Sequence, residues 1–240
     1  VRRSNEAEAI YGLGSREASA SVAKNWVGSF TLDFIHSSEV NSVGGSAFWK
    51  WVLGKVTDGG TTPKTHTFAY NDDKTLTSIT LNAGLDQPTT DYDWNLLGAV
   101  VSTCEISFKV NEPVKVKIEG LYADETLDNT LVTQVNPATT DVPYEYAEAT
   151  VTFSSALTRC EEFILTINNN AEMIYGLGDR RATKAVGKNV VCTFRFTITY
   201  EASTWDALLY GQAGGPLSTT TPAETATVTI NVTNSGAGTA

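Results

Sequence analysis

The sequence predicts a mainly β chain made of two related units, and three observations carry that expectation. Apolar and polar residues alternate with a period of two through several short stretches, the pattern of strands with one buried face. Helical periodicity is confined to two segments of about two turns each. One strand–loop–strand unit also occurs twice: Ile10-Tyr11-Gly12-Leu13-Gly14-Ser15-Arg16 reappears as Ile174-Tyr175-Gly176-Leu177-Gly178-Asp179-Arg180, 164 residues later and without a gap. Between 10–35 and 174–199, 12 of 26 positions are identical, and Asn5, Ala7 and Glu8 upstream match Asn169, Ala171 and Glu172. Agreement of that extent marks an internal duplication.

The elements follow in order. Residues 1–10 read weakly as strand. Residues 11–25, rich in Gly, Ser, Ala and charge, suit a long excursion rather than a tight hairpin turn, with Gly12 and Gly14 permitting positive φ at its entrance. Ser29 to Ile35 then sets Phe30, Leu32 and Phe34 against Ser29, Thr31 and Asp33, as Phe194, Phe196 and Ile198 oppose Thr193, Arg195 and Thr197 in the second copy. A short helix is expected over 46–53, capped by Ser46 and stopped by Gly54, and another over 203–210, stopped by Gly211. At two turns each they need a sheet to lie on. Strands are expected at 65–70, 76–81, 94–101, 104–110 and 114–121, the last three as an antiparallel meander with one wet face. Residues 122–146, rich in Asp, Thr, Asn and Pro, read as a connection. Strands resume at 149–153, 163–167 and 226–232. The second half holds nothing corresponding to 94–121, and little precedes the first motif, so the expectation is a chain truncated at both ends or one completed by strands of neighbouring subunits, truncation being favoured.

Bulk properties narrow the function. A formal charge of −10 over 240 residues argues against a surface that grips nucleic acid. No apolar run reaches about 18 residues, and no secretory apolar segment is present. Cys104, Cys160 and Cys192 lack metal-ligand spacing and are expected as reduced, half-buried thiols, a disulfide between two of them remaining the alternative. With His36 and His66 alone, a zinc site or histidine triad has few residues to draw on.

Motif chemistry is equally sparse. Gly12-Leu13-Gly14 resembles the start of a dinucleotide fingerprint, but Glu17 stands at the third glycine position, Arg181 does so in the second copy, and a strand follows instead of a helix. Asp72, Asp73, Asp91 and Asp93 are better read as turn aspartates than as a carboxylate pair or calcium site. Trp49, Trp51, Trp94 and Trp205 fit core packing better than a sugar platform. The reading assigns no catalytic, cofactor-binding or metal-binding residue, and no enzymatic activity.

A repeat that keeps a loop rather than a catalytic group points to assembly, since one chain then presents two similar contacts and three chains can build six similar positions. The stretch Ile-Tyr-Gly-Leu-Gly-Ser-Arg-Glu-Ala, followed by Val27-Gly28-Ser29-Phe30, resembles the tail tube proteins of long-tailed phages and archaeal viruses, in particular two-repeat members carrying a G-x-G-[SD]-R loop before each such strand. The resemblance implies two tandem β-sandwich or barrel units, each with a short flanking helix: 1–122, a connection over 123–147, and 148–240, the last incomplete. It implies trimeric, pseudo-hexameric rings stacked into a tube through which viral DNA passes unbound. The partners would be further copies, with tape measure, terminator and baseplate or tip proteins, in a virion tail assembled in the host cytoplasm, with no membrane and no cofactor. The loops at 11–25 and 175–189 would reach the adjacent ring, making Tyr11, Gly12, Gly14, Arg16, Lys24, Tyr175, Gly176, Gly178, Arg180 and Lys188 the assembly candidates. Cys192 departs from the motif, which has glycine there. The competing expectation is a secreted or surface β-repeat module binding carbohydrate or a receptor.

Overall fold

The computed structural model describes residues 1–4, 8–11, 18–22, 24–37, 47–59, 65–71, 73–85, 91–128, 130, 143–153, 155–156, 160–199 and 228–232. In chain order they form β1 (Arg2–Ser4), β2 (Glu8–Tyr11), β3 (Ala18–Val22), β4 (Val27–Ile35), α1 (Ala47–Leu53), β5 (Gly54–Gly59), β6 (Thr65–Tyr70) and β7 (Ile79–Leu85). Then come β8 (Tyr92–Lys109), β9 (Lys115–Tyr122), β10 (Asp124–Asp128), a 3-10 turn (Tyr146–Glu148), β11 (Ala149–Phe153), β12 (Ser155–Ala156), β13 (Cys160–Asn168), β14 (Glu172–Tyr175), β15 (Ala182–Val186), β16 (Val191–Ile198) and β17 (Val228–Val232). The protein is mainly β, as expected.

Strands from both halves of the sequence join one antiparallel sheet in the order β1-β4-β9-β8-β13-β16. Period-two alternation gives this sheet two unlike faces. One register row places Leu32, Ile118, Cys104, Ile167 and Cys192 side by side, and the next row on that face holds Phe34, Val116, Ile106, Leu165 and Phe194. The interleaved row on the opposite face is Asp33, Lys117, Glu105, Thr166 and Thr193.

α1 covers the apolar face. Phe48, Trp51 and Val52 are buried there, Trp51 stacking on Phe30 and Phe48 meeting Phe34 edge-on, each at 5.9 Å between ring centres. Each such side chain contributes about 2 kcal/mol by leaving water, which a seven-residue helix needs because it cannot persist alone. The Trp51 indole donates to Ala99 O at 2.9 Å, so its buried N–H is satisfied. Gly54, at φ 96°, ends the helix and turns the chain directly into β5. Ser46 lies outside the described residues, as does the second expected helix at 203–210.

Two glycines on this face make room for aromatic rings from the facing strand. Phe30 lies over its cross-strand partner Gly120, and Tyr122 over its partner Gly28. A methyl group at Gly120 would come within 2.3 Å of both the Phe30 ring and Val100 O. Cys192 takes the place of Gly28 in the second copy and lies beside a different ring, with the Tyr70 hydroxyl 2.6 Å from its sulfur.

The structure corrects several boundaries. The strands expected at 94–101 and 104–110 are one 18-residue strand, β8. Gly98 (φ 66°) and an irregularity between Val101 and Thr103 let it pass from pairing with β7 and β10 to pairing with β9 and β13. Part of the expected connection is strand, since β10 pairs with β8. The strand expected at 76–81 lies at 79–85, because its partner is the early part of β8. Asp93 is not a solvated turn aspartate: it is fully buried and accepts from the Asn82 amide at 2.9 Å. None of the three cysteines is in a disulfide, but Cys104 is fully buried and Cys192 exposed.

His36 closes the core where β4 ends. Its backbone N–H donates to Val114 O, its carbonyl accepts from the Tyr144 N–H, and its ring lies among Phe48, Trp49 and Tyr144. The ring is 5% exposed, and Nδ1 has no hydrogen-bond partner among the described residues. Burial alone pushes this imidazole from 6.5 down to about 4. The folded protein therefore holds His36 neutral where the unfolded chain would protonate it. That contribution is intact above pH 6.5 and drains away as the pH falls toward 4, a loss of about 3 kcal/mol. Urea midpoints measured across that window should fall less steeply for His36→Leu than for the parent; parallel curves would show that the ring is solvated.

Candidate assembly site

The repeated motif forms a β-hairpin in each copy, not the long excursion expected for 11–25. The reason is that Ala18–Val22 and Ala182–Val186 pair antiparallel with Glu8–Tyr11 and Glu172–Tyr175. The two hairpins share register and irregularity at the 164-residue spacing. Glu8 pairs with Val22 as Glu172 does with Val186, Tyr11 with Ala18 as Tyr175 does with Ala182, and each pairing slips just before the tyrosine. The strands around them match as well: Arg3 faces Gly28 in β1–β4, and Ile167 faces Cys192 in β13–β16.

The second hairpin grips the start of β4. The Trp26 N–H donates to Arg180 O at 2.9 Å, the Arg180 guanidinium donates to Lys24 O at 2.7 Å, and the Tyr175 hydroxyl donates to Trp26 O at 3.0 Å. Arg181 adds a 3.0 Å ion pair to Asp124 and also binds Asp179, whose carboxyl is thereby held below its usual range. Gly178 takes φ 91° in the turn, and Leu177 beside it is wholly exposed. The structure thus brings Tyr175, Arg180 and Lys24 together, with Gly176 and Gly178 in the turn between them. Lys188 stands at the hairpin's base, paired with Glu172. Tyr11 lies at the slip in β2, whereas Gly12, Gly14 and Arg16 fall outside the described residues.

Sequence reasoning missed Trp26, Asp124, Arg181 and Asn169. Asn169 is buried, and its side-chain amide donates to Val52 O at 2.8 Å and Val101 O at 3.2 Å. Its backbone N–H donates to Ser102 O and its carbonyl accepts from the Lys188 N–H. The signal was present in its match to Asn5, but only packing gives it a role.

The sheet's polar face is a second surface. A shallow concavity there is lined by Asp33, Ile35, Glu105, Ser107, Lys115 and Lys117. Lys117 pairs with Glu119 at 2.7 Å, which raises its pKa, and faces Asp33 and Glu105 across the strands. Lys109 and Lys115 both bind Glu112, whose pKa they lower, and Arg195 lies 3.9 Å from Glu162. The face is charged but balanced in sign.

These features define a mainly β protein: one two-faced sheet, with a paired hairpin between β1 and β4 and another between β13 and β16 in the chain. The chain belongs to the phage tail tube protein family, whose sequence model matches residues 2–240. It is a structural component of the virion tail, built to assemble with itself and other tail proteins. No curated protein sequence matches it.

Asn169→Ala should cost roughly 2–4 kcal/mol, since it leaves two buried carbonyls without a donor. Urea unfolding checks this, and a loss below about 1 kcal/mol would mean that water takes over both carbonyls.

Proposed function

We propose that this chain is a two-repeat tube subunit of the long-tailed phage and archaeal virus type, with repeats over 1–122 and 148–240 joined by 123–147. Three chains form a ring of six similar positions, and rings stack into a tube that carries DNA to the host. The matched pairing registers 164 residues apart support this reading most directly, because they give one chain two equivalent hairpins. The assembly surface comprises Tyr11, Gly12, Gly14, Arg16 and Lys24 with their counterparts Tyr175, Gly176, Gly178, Arg180 and Lys188. Tape measure, terminator and tip or baseplate proteins meet the tube at its ends and interior, and assembly takes place in the host cytoplasm. Negative-stain microscopy of the purified protein should reveal rings or tubes. A strictly single-chain species at high concentration would defeat the reading.

In this arrangement the polar face of the large sheet lines the lumen. Each cation free to meet a phosphate would add affinity and therefore friction. Here Lys117, Lys115 and Lys109 are held by carboxylates of the same face or its border, so DNA meets a balanced surface. Tubes of the double variant Asp33→Lys, Glu105→Lys should retain DNA in co-sedimentation at low salt and release it as salt rises. Binding equal to the parent's would place this face outside the tube.

A further inference from the structure

β7, the early part of β8 and β10 form a three-stranded ribbon with an open apolar groove against one face. The groove has a volume of about 590 Å³ and is lined by Ala83, Leu85, Trp94 and Leu96 of the ribbon and by Val1 and Arg3. Strand register puts the ribbon residues on one face: Ala83 and Leu127 both stand opposite Trp94, and Leu81 stands opposite Leu96. Arg3 fixes one side, its guanidinium 5.8 Å from the centre of the Trp94 ring and 2.9 Å from the Glu125 carboxylate. Val1, Leu85 and Leu127 remain exposed around it. Apolar side chains gathered about a groove mark an interaction site, as the same residues scattered singly would not.

The second hairpin presents the opposite shape. Leu177 is wholly exposed at its tip, and Ile174 is exposed on the outward face of β14. A methyl group added at Gly178 would meet nothing within 4 Å, so the tip stands clear of its own chain. The turn is held all the same, by the Tyr175 and Arg180 bonds to the 24–26 backbone and by the Arg181 ion pair with Asp124.

We propose that the groove beside Trp94 receives the Leu177 turn of a second copy of this chain. Leu177 is buried there against Leu85 and Trp94, and Asp179, two residues further on, turns toward Arg3. This deepens, and rests on, the self-assembly reading given above, since it names the surface that the second hairpin meets.

Three observations carry the assignment. First, both halves of the contact are already formed in one subunit, a convex apolar tip and a concave apolar groove, so docking has little chain left to order. Second, their placement excludes a contact within the chain. Asp124 and Glu125 are consecutive in β10 and therefore point to opposite faces of the ribbon. Arg181 of the hairpin reaches Asp124, whereas Arg3 of the groove reaches Glu125. Turn and groove thus lie on opposite sides, and a turn tied down in this way cannot fill the groove of its own subunit. A contact between unlike patches on opposite sides is head-to-tail, so it repeats from copy to copy into a ring or a stack; a patch meeting itself would stop at a pair. Third, the charges suit each other. The Arg3 side chain at the groove and the Asp179 side chain on the turn are of opposite sign, and each is about half exposed.

The test uses the full chain. Leu177→Ala should unfold at the parental temperature, because the side chain is wholly exposed in its own subunit. It should nevertheless raise the half-assembly concentration, read by light scattering, on the order of thirtyfold. Leu85→Glu should weaken assembly from the groove side. Oxidative cross-linking then reads which surfaces meet: in a Cys192→Ser background, chains carrying Leu177→Cys mixed with chains carrying Leu85→Cys should give linked pairs that neither gives alone. Assembly of Leu177→Ala at the parental concentration would overturn the docking and leave the tube reading standing. A parent that stays a single chain at high concentration would overturn both. Leu85→Cys chains that link to one another, and not to Leu177→Cys, would show the groove pairing with its own copy and overturn the proposal as well. Should Leu85→Glu unfold early, Leu177→Ala and the cross-link decide.

Discussion

A single buried asparagine side chain governs how the rest of this molecule meets. Asn169 lies where β13 ends, and its amide reaches the carbonyl of Val52 in the last turn of α1 and that of Val101 at the irregularity in β8. Both carbonyls are of a kind that regular structure leaves over, one at a helix end and one at a break in strand pairing. Burying them without a donor would be costly, so the helix, the long strand and the second repeat hold one another in place. The Asn169 carbonyl then fixes Lys188, and with it the base of the hairpin that grips β4.

Around that point the sheet divides its labour by face. The apolar face supplies the core and takes α1; the polar face carries carboxylates and cations that neutralise one another over a shallow concavity. Exposed ion pairs of this kind add little stability. Their consequence is a surface that is wet, charged and balanced in sign. The core face, in contrast, tolerates little change, as the aromatic rings seated over Gly28 and Gly120 illustrate.

The identity between 10–35 and 174–199 extends to strand register: Arg3 faces Gly28 as Ile167 faces Cys192, and the strands concerned share one sheet. The family to which the chain belongs is that of phage tail tube proteins.

The sequence by itself determined the β class, the faces of β4 and β9, the helix before Gly54, and the paired motif 164 residues apart, because period-two alternation, glycine stops and internal identity are local and need no partner to be read. It also pointed to Arg180, Tyr175 and Lys24 through that identity. Tertiary structure alone decided the rest. The Gly-, Ser-, Ala- and charge-rich composition of 11–25 suggested a long excursion, but strand pairing made hairpins, which depend on what lies opposite. Two expected strands became β8 because Gly98 and the break after Val101 let one strand pair first with β7 and β10 and then with β9 and β13. Asp93 looked like a turn residue and is buried, while Trp26, Arg181 and Asn169 carried no local mark of their partners 57 to 154 residues away. Hydrogen bonds between distant backbone groups leave no periodicity in a sequence; they exist only once the chain has brought both ends together.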